Sequence, residues 1–133
     1  MKLPEDSELI ETYKISLKGI DLEDSWLLEV ILDEENHRLS FILDFSIWPE
    51  SKYYTYPNPG EWTCYRKGKM NFNKVKEITG LVNLDNIEPS IDPRGEKDWG
   101  NIYRLRIENG RFAFELEEHE MTVQADELEI EIN

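Results

Sequence analysis

Residues 103–116 read YRLRIENGRFAFEL, and their alternation decides the fold class. Asn109-Gly110 is a strong type I′ turn signal, because both central residues of that turn need positive φ. With those two residues as the loop, Ile107 faces Phe112, Leu105 faces Phe114 and Tyr103 faces Leu116, all on one side of the ribbon. The other side sets Arg104 against Glu115 and Glu108 against Arg111. Each is an opposite-charge pair contributing about 0.2–1 kcal/mol. A single register satisfies the apolar face and the charged face together, which predicts an antiparallel hairpin.

The same period of two runs outward from this hairpin. Residues 26–45, WLLEVILDEENHRLSFILDF, place Leu28, Val30 and Leu32 on one strand and Leu39, Phe41, Leu43 and Phe45 on the facing one. Asp33-Glu34-Glu35-Asn36 supplies a polar turn between them. Ile31 and Ile42 fall on the opposite faces, which predicts a central position with partial cover on both sides. A third hairpin is expected across residues 62–73, with Gly68 as its turn and Cys64 and Met70 on its arms. The segment 126–132, DELEIEI, alternates Leu128, Ile130 and Ile132 with Glu127, Glu129 and Glu131. That reads as a half-buried strand whose acidic outer face discourages edge-to-edge pairing. Helix signals are weak. Residues 5–14 behind Pro4 suit a short turn, and residues 73–79 fit either type of element. The expected fold is all-β: a single domain over residues 1–133, with about eight or nine antiparallel strands in a sandwich or partly closed barrel.

A chain of 133 residues can bury roughly two-thirds of its unfolded surface and needs no metal or disulfide staple. The single cysteine, Cys64, excludes an intramolecular disulfide. The N-terminal stretch MKLPEDSELIE lacks the apolar core of a signal peptide, and no apolar run approaches the ~18 residues of a membrane helix. These features predict a cytoplasmic protein. The net charge of −14 repels nucleic-acid phosphates and anionic membranes. Residues 51–76 depart from this trend with six basic groups and one acid, whereas residues 1–50 carry a net −9 and residues 108–133 a net −8. Segregated charge of this kind suits an acidic protein that docks a basic protein partner.

Signatures of chemistry are sparse. His37 falls in a turn and His119 between acidic segments, and both are expected to face solvent. Nothing local activates Cys64, so a small buried thiol is its expected role. One cysteine and two scattered histidines make no zinc site. No GxxxxGK[ST], GxGxxG or GxSxG is present, so no cofactor is implied. In DPRGEKDWGN, residues 92–101, the oxygen donors Asp92, Glu96, Asp98 and Asn101 lie around Gly95 and Gly100 without EF-hand spacing. A glycine turn with solvated carboxylates is the expected reading. An enzyme would need a cleft that weakens the acidity of a carboxylate such as Glu61 or Asp98.

The densest candidate site is residues 47–65, where Trp48, Tyr53, Tyr54, Tyr56, Trp62 and Tyr65 surround Pro49, Pro57 and Pro59. Rigid aromatics among polar groups line binding grooves, and they also cap the open ends of β-structures. The basic residues that follow are Arg66, Lys67, Lys69, Lys74 and Lys76. They suit either an anion or the protein's own acidic tail.

YPNPGEWTCYRKGKMNF (56–72) and DWGNIYRLRIENGRFAFELE (98–117) resemble a family of small uncharacterised bacterial proteins. Its pattern runs PxPGE, then CYRxG, then D-[YW]-G-N-I. It is matched here by Pro57, Pro59, Gly60 and Glu61, by Cys64, Tyr65, Arg66 and Gly68, and by Asp98 to Ile102. The resemblance covers about residues 20–120 and brings no activity with it. GIDLEDSWLLEVILDEENHRLSFIL (19–43) is also similar to the opening hairpin of small acidic immunity proteins, which neutralise toxins. It carries Glu23-Asp24 where those often have His-Asp. The expected function is therefore a non-enzymatic, acidic interaction module that binds another protein, in one version an immunity-like one. The alternative is a small-ligand or carbohydrate-binding domain using residues 47–65.

Overall fold

The computed structural model describes residues 18–81, 83–108, 111–116 and 119–133. The turn expected at residues 5–14 and the conformation of Asn109-Gly110 lie outside them. Eight strands form among the described residues: β1 (Ile20–Asp33), β2 (Arg38–Ile47), β3 (Cys64–Thr79), β4 (Ser90–Ile91), β5 (Lys97–Asp98), β6 (Arg104–Glu108), β7 (Arg111–Leu116) and β8 (His119–Ile132). Six make one antiparallel sheet in the order β1-β2-β3-β8-β7-β6, and β4 pairs with β5 in a small second sheet. The fold is all-β, as the alternation predicts.

The inner face of the sheet is a phenylalanine-rich core. Along β2, Leu39, Phe41, Leu43, Phe45 and Ile47 are all fully buried. Phe41, Phe72, Phe112 and Phe114 meet with ring centroids 5.0–5.9 Å apart. Each such side chain contributes roughly 1.5–3 kcal/mol by leaving water. The sheet is not a continuous closed barrel. Instead, residues 99–101 lie along the free edge of β1: the Leu27 N–H donates to the Gly100 carbonyl and the Trp99 N–H to the Leu27 carbonyl, both at 2.8 Å. The Trp99 indole N–H donates to the Ile87 carbonyl, the Asn101 amide donates to the Ser25 carbonyl, and Ile102 is fully buried. The D-W-G-N-I stretch is thus a latch from one edge of the sheet to β6 at the other.

The β6–β7 register is the expected one, with Arg104 opposite Glu115, Leu105 opposite Phe114, Ile107 opposite Phe112 and Glu108 opposite Arg111. Tyr103 departs from it. Its N–H donates to the Glu115 carbonyl, but it precedes β6 and its side chain is 46% exposed, so it does not extend the buried face. In the β1–β2 hairpin, Leu32 pairs with Leu39 and Val30 with Phe41 as expected. A bulge then sets Glu29 opposite Ile42 and Leu27 opposite Leu43. Leu27 therefore enters the core in place of Leu28. Apolar residues fill every position from Trp26 to Leu32 except Glu29, so alternation alone could not choose between them.

The expected hairpin about Gly68 does not form. Residues 64–79 are one long strand, with Gly68 opposite Leu43 on β2 and Ile132 on β8. A Cβ at this position would overlap the Glu131 carbonyl oxygen, so the glycine permits a close backbone approach instead of a turn. Residues 73–79 complete the same strand. Residues 126–132 belong to β8. There Leu128 is buried, and Glu127, Glu129 and Glu131 stand opposite Asn73, Asn71 and Lys69.

Candidate functional site

The outer face of β1, β2 and β3 carries a cleft whose floor is Asp44. Asp44 lies mid-β2, in register with Trp26 on β1 and Lys67 on β3. Two proline-glycine turns rise on either side. In Asn58-Pro59-Gly60-Glu61, the Glu61 N–H donates to the Asn58 carbonyl at 2.9 Å and Gly60 sits at φ 90°. That is type II chemistry, with proline at the second position and a positive-φ glycine at the third. The Glu61 carboxylate accepts the Asn58 N–H, which fixes the turn that presents Trp62. In Asp92-Pro93-Arg94-Gly95, the Asp92 carbonyl accepts the Gly95 N–H. One oxygen of the Asp92 carboxylate accepts the N–H groups of Arg94 and Glu96, each at 2.9 Å.

Between these turns lies a cavity of about 290 Å³, lined at its floor by Asp44, walled by Trp26, Leu28, Trp62 and Tyr65 and fringed by Glu61, Asp92, Glu96, Asp98 and Arg94. It adjoins a second lobe of about 470 Å³ that Lys67 and Gly95 also line. The walls are held in place from behind. The Trp62 indole N–H donates to the Tyr65 hydroxyl at 3.0 Å, and that hydroxyl donates to Asp24 at 2.9 Å. Trp48 packs edge-on against Trp62, with centroids 6.2 Å apart. Asp24 is placed by an excursion of β1 at residues 22–25. There the Ser25 hydroxyl donates to the Asp21 carbonyl and accepts the Ser46 N–H.

Electrostatics single out Asp44. Burial pushes its carboxyl above the ordinary range, the Glu96 and Glu61 charges push it the same way, and Lys67 and Arg94 oppose them. Among the described residues no hydrogen bond reaches its carboxylate. Lys67 lies opposite in register but turns its ammonium to Glu96 at 2.7 Å, which raises the lysine's own pKa. Burial also raises Tyr65, and its hydrogen bond to Asp24 adds to the effect. Among the described residues no three or more acids, histidines or cysteines come together as a metal-ligand group.

The structure divides the aromatic stretch. Trp62 and Tyr65 line the cleft, and Trp48 supports Trp62. Tyr53 and Tyr54 pack against the core, where Lys52 lies 5.1 Å from the Tyr53 ring centre. Tyr56 is 89% exposed and stacks edge-on with Tyr54. The basic residues do not form one patch. Arg66 binds the carbonyls of Tyr53 and Asn133, Lys67 binds Glu96, Lys74 binds Glu127 and Lys76 binds Asp126. Lys69 is opposite Glu131 in register. His37 and His119 are exposed and Cys64 is buried. Glu61 and Asp98 both reach the cleft, each with one oxygen already accepting a backbone N–H.

Sequence reading missed Trp26, Asp44 and Arg94. The N-P-G-E and D-P-R-G tetrapeptides were the signals that could have located the cleft rims. No family model, curated protein or solved structure matches this chain. Among the described residues no helix is long and apolar enough to cross a membrane.

Proposed function

We propose that the protein is a non-enzymatic, cytoplasmic binding module that takes a basic region of a protein partner at the Asp44 cleft. The observation that carries this reading is the composition of the cleft. Three aromatic walls, two of them braced, stand among five carboxylates and two cations, and one of those cations, Lys67, is already tied to Glu96. Preorganised aromatics at the centre of a polar rim are the usual anchors of protein interfaces. A net charge of −14 would steer a basic partner toward the surface. Neutralisation of a basic toxin is one concrete form of such binding.

The test compares tagged wild-type protein with a Trp62→Ala/Asp44→Asn double variant, each used to capture partners from native lysate at low and moderate salt. The expected result is a stoichiometric basic protein held by wild type, released as salt rises and lost in the variant. A wild-type chain that stays alone at both salts overturns the reading.

Exposure of Tyr56 (89%), Trp62 (67%) and Trp48 (40%) favours a second reading, a small-ligand or carbohydrate platform. A saturable tryptophan-fluorescence response to a neutral sugar, insensitive to salt, would select it.

A further inference from the structure

We infer that the cleft is a pocket for an arginine side chain, in which the guanidinium lies against the Trp62 and Trp26 walls and its N–H groups reach Asp44. This rests on the proposed protein-binding role and names the group that is recognised. The carboxylates alone would make no site, since this chain carries 29 acids. What distinguishes the cleft is a cavity of about 290 Å³ with indole and phenol walls and an acceptor at its base.

Two features select a guanidinium. First, it is planar and weakly hydrated, and it stacks on aromatic faces while its fork of donors engages a carboxylate. The Trp62 indole spends its N–H on Tyr65 and is braced by Trp48, so the ring offers stacking surface and no hydrogen-bond donor to a guest. Second, the Asp44 carboxylate has no hydrogen bond among the described residues, in a chain whose other rim acids Glu61, Asp92, Glu96 and Asp98 all have partners. An arriving cation with N–H donors would satisfy it and offset the repulsion from Glu96 and Glu61. Against these, Arg94 stands exposed on the rim with no ion pair among the described residues. It is the chain's own guanidinium beside this cavity, and it competes electrostatically with an incoming one.

The test titrates the full chain with N-acetyl-arginine amide, following the indole N–H resonances of the four tryptophans assigned through Trp→Phe variants. The arginine compound is expected to give saturable shifts at Trp62 and Trp26 and none at Trp99, which is tied to the Ile87 carbonyl. The neutral isostere N-acetyl-citrulline amide should bind at least about tenfold more weakly, as should arginine with the Asp44→Asn protein. Arg94→Ala should tighten binding a few-fold.

Equal binding of arginine and citrulline, or silent Trp62 and Trp26 resonances, overturns the inference. N-acetyl-lysine amide binding as well as arginine also overturns it, by reducing the site to a general cation trap. Failure here is separable from failure of the broader role. If a partner is still captured by wild type and lost in the Trp62→Ala/Asp44→Asn variant while arginine is silent, the docking role stands without the guanidinium. Arginine binding with no loss of capture in that variant retains the pocket and moves the docking surface elsewhere.

Discussion

The outer face of β3 meets acids at both of its ends and treats them in opposite ways. Toward β8, Asn71, Asn73, Lys74 and Lys76 face Glu131, Glu129, Glu127 and Asp126, and hydrogen bonds or ion pairs connect the two rows. Asn71 is fully buried there and also accepts the Ser40 hydroxyl at 2.5 Å. Toward β2, Lys67 turns away to Glu96 and leaves Asp44 without a hydrogen bond among the described residues. The acids of β8 are paired within the molecule, whereas the cleft leaves one carboxylate without a hydrogen bond among the described residues. Net charge alone does not single out a surface; a carboxylate left without a hydrogen bond in a walled cavity is the feature on which the proposed docking role rests.

Gly68 sits between the two regions, and replacing it gives the largest expected effect. Gly68→Ala drives a Cβ into the Glu131 carbonyl and should separate β8 from β3, at a cost near the upper end of the ~1–3 kcal/mol range for overpacking. Urea denaturation would measure it, and an unchanged midpoint would mean the two backbones are not in close approach. Asn71→Ala comes next. It strands Ser40 and the facing glutamates, and a loss of about 1–3 kcal/mol is expected in the same assay.

Asp44→Asn should act in the other direction. A carboxyl whose folded pKa is raised binds its proton more tightly in the native state. Its charge therefore opposes folding at neutral pH, and this penalty fades as pH falls through the folded value toward the unfolded value of about 3.9. The variant should be more stable than wild type at pH 7, with the gap closing in acid. A gap that stays constant with pH would assign the effect to packing.

The smallest effect belongs to Lys74→Ala. Its partner Glu127 is held below the ordinary carboxylate range chiefly by this ammonium, so the pair helps above the unfolded glutamate value and is lost as pH falls through the folded one. Both groups are solvated, so moderate salt should erase the difference from wild type.

The hairpins were legible because period-two alternation and opposite-charge pairing agreed on one register, as at Leu105–Phe114 and Arg104–Glu115. Gly68 was misread because glycine serves both turns and tight interstrand contacts, and only the neighbouring strand decides which. Leu27 and Leu28 could not be ranked where adjacent positions are both apolar until the bulge chose between them. Asp44 has no local sequence signal that separates it from any outward charge on a strand. It becomes a floor only when residues 58–62 and 92–98, distant in sequence, fold over the same face. The proline-glycine turns that do this were readable locally, but their convergence was not.

Cys64 gives the molecule a built-in clock. The thiol is 2% exposed, lies 3.5 Å from the Thr55 hydroxyl and is the chain's single sulfhydryl. A thiol reagent can reach it only when the structure around it opens, so labelling rates report the frequency of that opening. Thr55 and Cys64 flank the turn that presents Trp62, so the clock runs beside the cleft wall.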